Sequence, residues 1–255
     1  MSGIWATFRN AVAEALAKPG ALASQMAVMA ANDLVWVLFW VLFFDRVGTI
    51  GGWDRDRILL LQAVLTAAGG VSLGVFANAR RVGMMAVDGE LDAVLSLPVP
   101  PLSHLLVRRI EPVNMGDLAF GVVLFAVVGD PTPVRTLIFV LVVLASATLL
   151  TAFLVLTGAL AFFLGRSESG ELGFHAMLLL GAYPVDVFAG TVKVLLFTLV
   201  PAAFVSAVPA RLIDDFDWVR AIELVTIAAV FATAAATTFT LGLRRYTSGN
   251  VWTRA

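Results

Sequence analysis

Acidic residues inside apolar stretches are the first candidates for chemistry in this sequence. Asp33 follows Asn32 in one such stretch and Asp117 lies in another, whereas Asp186 and Glu223 stand near the ends of two more. A charge at membrane depth costs several kcal/mol, so an ionisable residue there usually has a partner and a function. A coupled-ion or substrate role is therefore one hypothesis for Asp33 and Asp117. Helix packing, or a position near the membrane surface, is the alternative that we favour.

Motifs for catalysis by this chain itself do not occur. The lysines, Lys18 and Lys193, do not follow glycine, so there is no phosphate-binding loop. His104 and His175 are too few and too scattered for a metal site, and the chain has no cysteine. A net charge of −1 provides no basic field for a nucleic acid. We therefore predict that the chain binds no metal, cofactor or nucleic acid of its own.

The composition indicates that lipid is the solvent. Hydrophobic residues make up 60% of the 255 residues and charged residues 14%, whereas soluble domains carry roughly 25% charged residues. The mean hydropathy is +0.94. Because backbone groups in lipid must be satisfied within the chain, helices are favoured. The sequence predicts an all-α, polytopic membrane protein.

Apolar runs of about 20 residues can each cross the membrane. They predict about six spans in a single transmembrane domain, 1–255, at 25–44, 58–77, 112–128, 136–164, 171–188 and 222–243. Prolines, including Pro184 and Pro201, interrupt the apolar region before the last span and disrupt helices. We expect re-entrant helices on the outer side over 189–213. A fifth span at about 185–205 is the alternative.

Both termini are predicted to be cytoplasmic. An even number of spans places them on one side, and the pairs Arg80-Arg81, Arg108-Arg109 and Arg244-Arg245 fall on that side. Within residues 1–20, an apolar stripe with helical spacing predicts an amphipathic helix at the membrane interface: Trp5, Phe8, Val12 and Leu16. Packing of this helix on a neighbouring subunit is the alternative.

The stretch 78–111 is the longest polar region between two predicted spans. Asp88-Gly89 indicates a turn, and Glu90–Leu97 is predicted to be a short cytoplasmic helix with acids in its first turn. Leu91, Val94 and Leu95 would form its apolar face, and prolines from Pro98 onward end it. Another protein could bind such a helix. An interfacial helix that touches only lipid is the alternative.

The sequence resembles the ABC-2 type permeases of ATP-binding-cassette exporters, in their short six-span bacterial branch. The resemblance extends over about 5–249 and depends on the order and spacing of short motifs: Gly51-Gly52-Trp53, Gly89-Glu90-Leu91-Asp92 with Leu95 and Pro98, Tyr183-Pro184, Thr198-Leu199-Val200-Pro201-Ala202-Ala203-Phe204, Pro209-Ala210 and Gly242-Leu243-Arg244-Arg245-Tyr246-Thr247-Ser248-Gly249.

The resemblance implies a permease of the bacterial inner (plasma) membrane that has no ATPase of its own. ATP and Mg would be bound by a separate ATPase subunit, and a second permease subunit, identical or homologous, would complete the path. The ATPase would contact the N-terminal helix and a coupling helix that contains Gly89, Glu90, Leu91, Asp92, Leu95 and Pro98. The outer gate would contain Tyr183, Pro184, Pro201, Phe204 and Pro209.

Three other functions remain in view. An ion-coupled secondary transporter would need paired acids inside the membrane, and the acids in the predicted spans are scattered along the sequence. A membrane enzyme would need clustered histidines or acids at one membrane face, which the sequence does not supply. A non-catalytic scaffold is the third.

Overall fold

The computed structural model describes residues 2–165 and 168–246. These residues are mostly helical, with no β-strand among them. The described α-helices are α1 (Ser2–Leu16), α2 (Pro19–Val47), α3 (Arg55–Gly69), α4 (Val82–Asp88), α5 (Asp92–Leu95), α6 (Pro101–Val107), α7 (Met115–Val128), α8 (Pro133–Ala159), α9 (Ala161–Leu164), α10 (Glu168–Gly181), α11 (Gly190–Phe197), α12 (Val208–Asp214) and α13 (Trp218–Leu243). Short 3₁₀ helices cover Ala77–Arg81, Pro112–Asn114 and Val185–Val187, and π-helical turns cover Gly70–Val75 and Ala203–Ala207.

Four helical stretches are long and apolar enough to cross a membrane. They are Pro19–Val47, Arg55–Val75, Pro133–Leu164 and Trp218–Leu243. The first, third and fourth of these stretches contain the spans predicted at 25–44, 136–164 and 222–243. The second contains most of the span predicted at 58–77. The helical fold and the multi-pass membrane class are thereby confirmed.

The third predicted span, 112–128, lies in a bent pair of helices. Pro101–Val107 and Pro112–Val128 meet at 71°, and together they qualify as a fifth crossing. Proline at the start of both pieces fits this bend, because it is tolerated in the first turn of a helix and disfavours helical backbone just before it.

The fifth predicted span, 171–188, is not one continuous helix. α10 ends at Gly181, and the carbonyl oxygens of Gly181 and Ala182 accept hydrogen bonds from Ser206 Oγ (2.6 Å) and Gln62 Nε2 (3.1 Å). Side chains that are distant in sequence thus satisfy the carbonyls at the helix end, and Pro184 follows two residues later. Neither 171–188 nor the alternative at about 185–205 forms a single spanning helix, so the six spans are not all confirmed.

α3 is the central helix of the bundle, and almost every residue from Ile58 to Gly69 is buried. It packs against α7, α8 and α12, and α13 packs along α8. Glycines bring α7 close to its neighbours. A Cβ on Gly121 would lie 2.6 Å from the Ala63 carbonyl oxygen, and one on Gly116 would lie 2.5 Å from that of Met26. Such close approach of backbones is a common way for helices to associate in lipid.

The helix bundle has two ends that differ in structure, which we call the terminal end and the distal end. The terminal end contains α1, the stretch 76–111 and residues 244–246 after α13. The distal end contains the loop 48–54, the turn before α8 and the segment 182–217. Helices α3, α8 and α13 start at the distal end, where Asp54, Thr132 and Asp217 accept hydrogen bonds from backbone N–H groups of the first turn.

The two ends of the stretch 76–111 meet at one place in the bundle. The backbone N–H of Glu111 donates to the Gly74 carbonyl oxygen (2.8 Å), and Asn114 Nδ2 donates to that of Leu73 (3.0 Å). These donors satisfy carbonyls in the π-helical turn at the end of the α3 crossing. The beginning and the end of the stretch are therefore fastened to each other.

Candidate functional site

The segment 89–98 is the part of the terminal end that the sequence predicted to contact a partner. It begins at Gly89, whose φ of 79° ends α4 in the left-handed conformation. The helix that follows is α5, Asp92–Leu95, and is shorter than the predicted Glu90–Leu97. Glu90 forms an ion pair with Arg81 (3.7 Å), and Pro98 is exposed.

The apolar residues of this segment do not share one exposed face. Leu91 and Val94 are each 1% exposed and belong to the interior, whereas Leu95 is 41% and Leu97 43% exposed. The prediction that Leu91 presents itself to a partner is therefore wrong, because its side chain is used to anchor the segment. Leu95 and Leu97 carry the apolar surface, and Met84 and Val87 of α4 are exposed as well.

Tyr246 connects this segment to the end of α13. Its ring packs edge-on against Phe162 at 6.3 Å between centroids, and its hydroxyl lies beside Asp92 and Gly89. Burial, and then the neighbouring Asp92 carboxylate, raise the pKa of Tyr246 to about 12. The phenol is therefore neutral under ordinary conditions. Residues 247–249 of the predicted tail motif lie outside the described part of the chain.

The N-terminal helix packs on α6 through the face that contains Ala11. Thr7 Oγ1 and His104 Nδ1 are 3.3 Å apart across this contact. Of the predicted stripe, Phe8 and Val12 are half-buried, while Trp5 and Leu16 are 65% and 59% exposed.

A cleft of about 910 Å³ lies between the N-terminal helix, the start of α2 and the stretch 78–112. Its lining includes Lys18, Arg81, Arg108 and Arg109 as well as Glu90. The terminal end therefore combines an open cleft with an exposed apolar segment.

One carboxylate at the distal end accepts hydrogen bonds from three side chains. Asp186 accepts hydrogen bonds from Trp53 Nε1 (2.9 Å), from Lys193 Nζ (2.8 Å) and from the Arg211 guanidinium. We call these four residues the Asp186 cluster. Trp53 is fully buried, and the Arg211 guanidinium stacks over its ring at 5.0 Å from the centroid.

The surroundings of Asp186 favour its ionised form. Burial alone would raise its pKa, but the hydrogen bonds from Lys193 and Trp53 and the positive charge of Arg211 outweigh burial and lower the pKa below its ordinary value. Sequence reasoning treated Asp186 as an interfacial residue and missed this cluster. An available signal was Lys193, a lone cation within an apolar stretch and only seven positions after an acid.

The predicted outer-gate residues lie in the segment that the cluster holds. Pro184, Pro201, Phe204 and Pro209 are buried, and Tyr183 is half-buried. The ring of Tyr183 packs edge-on against Trp40 of α2 at 5.7 Å, and that of Phe204 against Phe197 of α11 at 5.5 Å. The segment consists of short, broken helices. A gating role for these residues stays a prediction.

The structure brings together the two acids that the sequence left apart. Asp33 of α2 and Asp117 of α7 are each 6% exposed, and their carboxyl groups are within hydrogen-bonding reach of each other. Two carboxyls can share a hydrogen bond only when one of them carries a proton. Acids that are scattered along the sequence thus form one pair in the folded chain.

These features define a polytopic helical membrane protein. It has an exposed segment at one end and short, broken helices at the other. Its sequence matches the family described as ABC-2 family transporter protein over residues 30–250. The chain therefore belongs to the ABC-2 transporter family, whose members are transport components of membranes. No curated protein matches the chain. No solved structure matches it either.

Proposed function

We propose that this chain is the permease subunit of an ATP-driven exporter, and that it couples to a separate ATPase subunit through the segment 89–98. Membership of the ABC-2 transporter family supports the permease role. The exposure of Leu95 and Leu97 on a segment anchored by Leu91 and Val94 supports the coupling role. This exposed apolar surface on an anchored support is the observation that carries the proposal.

The chemistry of the surface fits a protein partner. Leu95 and Leu97 provide apolar contacts, and the exposed Asp88 in the same stretch provides negative charge. Interfaces of this kind combine an apolar centre with a polar rim. Because Leu91 and Val94 fix the segment to the bundle, a force on the exposed residues is transmitted to the helices rather than absorbed by a flexible loop.

The further parts of the proposal follow from family membership. A second permease subunit, identical or homologous, completes the path, and ATP and Mg are bound by the ATPase. The membrane is the bacterial inner membrane, with the terminal end in the cytoplasm. The broken helices of 182–213 form the outer gate.

The test is purification of the tagged chain from its native membrane, followed by measurement of ATPase activity in the eluate. We expect a stoichiometric ATPase to co-purify with the wild-type chain and to be lost from Leu95→Arg. Ile50→Arg is the matched control, because Ile50 is exposed to a similar extent (37%) but lies at the distal end. A well-folded wild-type chain that elutes alone, without ATPase activity, contradicts the proposal.

An ion-coupled secondary transporter is the second candidate, and the contact between Asp33 and Asp117 favours it. A buried carboxyl pair inside a membrane can bind and release a proton. Transport of substrate into vesicles would then respond to a proton gradient without ATP, and Asp117→Asn would abolish this response. Transport that requires ATP and persists in Asp117→Asn excludes this candidate.

A further inference from the structure

We propose that Asp186 is a positioning residue for transport, and that its contacts with Trp53, Lys193 and Arg211 hold the distal end closed in the resting state. This inference rests on the proposed export function and names the groups that must separate when the distal end opens.

The three donors belong to three separate segments. Trp53 ends the loop between α2 and α3, Lys193 lies on α11 and Arg211 lies on α12. Within the described residues, Lys193 and Arg211 form no other ion pair. Loss of the Asp186 carboxylate therefore leaves two like charges facing each other and removes the group that joins the segments.

The loop 48–54 is shaped for this contact. Ile50 and Trp53 exchange backbone hydrogen bonds (3.0 and 2.9 Å) around Gly51 and Gly52, which have φ values of 58° and 80°. A Cβ on Gly51 would lie 3.3 Å from the Asp186 Cβ, so the turn packs directly on Asp186. The turn thereby aims the Trp53 indole N–H at the carboxylate.

The charged side chains of the Asp186 cluster are partly accessible to water. The side chains of Asp186, Lys193 and Arg211 are 19%, 41% and 32% exposed. Water can therefore replace the hydrogen bonds as the segments part, which a fully buried ion pair would not permit. A second link, between Arg57 and Asp214 (2.8 Å), joins α3 to α12 beside the cluster.

The test uses a single engineered cysteine, since the natural sequence contains none. Ala182→Cys places a thiol at the buried end of α10, four residues before Asp186. The purified chain in lipid nanodiscs, without nucleotide, is reacted with a water-soluble maleimide. We expect Asp186→Asn to raise the labelling rate about tenfold or more, because charge-assisted hydrogen bonds are lost. Asp186→Glu should restore much of the slow rate.

The matched control is Asp45→Asn. Asp45 is also at the distal end and pairs with Arg55 (3.6 Å), but this pair does not reach α11 or α12. Its labelling rate should equal that of the wild type. An equal rate in Asp186→Asn, with an unchanged chromatographic profile, overturns the proposal.

If Asp186→Asn does not fold, Trp53→Phe and Lys193→Met remove one donor each and keep the carboxylate. Each should raise the rate by less than the loss of Asp186, and the two together by more than either alone. Rates equal to the wild type in both variants overturn the proposal. The labelling assay uses the isolated chain, so its outcome is independent of whether an ATPase co-purifies.

Discussion

The two ends of the molecule are built by different means. The distal end is joined by ion pairs and hydrogen bonds that meet at Asp186 and connect the loop 48–54, α11 and α12. The terminal end has an open cleft of about 910 Å³ and an exposed apolar segment anchored by Leu91 and Val94. The comparison teaches that polar contacts join the segments of the distal end, whereas buried apolar side chains support the exposed surface of the terminal end.

The largest effect is expected at the terminal end from Leu91→Arg. Leu91 is 1% exposed, so the substitution buries an unpaired charge at a cost of about 3–5 kcal/mol. We expect the chain to be lost from the membrane or to aggregate on extraction, as measured by fluorescence size-exclusion chromatography. Leu95→Arg should extract like the wild type. Equal profiles for the two variants would show that the anchoring role of Leu91 is wrong.

The next effect contrasts the ion pairs of the two ends. Asp186→Ala removes the acceptor of three donors and should lower the free energy of unfolding by about 1–3 kcal/mol. Glu90→Ala removes a partly exposed pair of 3.7 Å and should cost less than about 1 kcal/mol. The measurement is thermal unfolding in one detergent. A larger loss for Glu90→Ala would reverse the comparison.

A smaller effect is expected from Tyr246→Phe. The ring and its contact with Phe162 remain, and only the hydroxyl beside Asp92 is removed, at a cost of about 0.5–1.5 kcal/mol. Under the proposed function, the ATPase activity that co-purifies with the chain should fall partially, because the segment 89–98 is held less firmly. Tyr183→Phe is the control, since the chain has two tyrosines and Tyr183 lies at the distal end. A full loss of activity in the control alone would contradict this role for Tyr246.

The smallest effect is the response of the distal end to mild acid. The pKa of Asp186 is held below its ordinary value of 3.8, so the contribution of its contacts is present at higher pH and is lost as pH falls through the lowered value. Because the reactive thiolate fraction of any cysteine falls with pH, the labelling rate of Ala182→Cys is divided by that of an exposed thiol at the same pH. This ratio should change less than about twofold between about pH 7 and pH 5. The charged groups around Asp186 are Lys193 and Arg211, which contact it, and Arg57 and Asp214, which pair beside it. A steep rise near pH 6 would show that another group controls access.

The long crossings could be predicted from the sequence because each is decided locally. A run of about 20 apolar residues suffices for a span in lipid, and α2, α8 and α13 satisfy it without help from other segments. The end of α10 could not be placed in this way. It depends on Ser206 and Gln62, which reach Gly181 and Ala182 from other helices.

The candidate sites likewise contain some features that are decided locally and others that depend on distant residues. The position of the segment 89–98 was predicted from its turn, acids and prolines, but its exposed face was not. A helix of one turn has no periodicity to follow, and packing against the bundle decides that Leu91 points inward. The Asp186 cluster and the contact between Asp33 and Asp117 join residues far apart in sequence. Such pairs depend on the way the helices pack.

The contact between Glu111 and Gly74 joins the two ends of the stretch 76–111. Its exposed positions, Met84, Val87, Leu95 and Leu97, can therefore change without altering the spacing of the helices that carry it, whereas the buried Leu91 cannot. Under the proposed coupling role, exchanging these exposed residues between two members of the family should transfer the choice of ATPase, while the transported substrate stays that of the recipient.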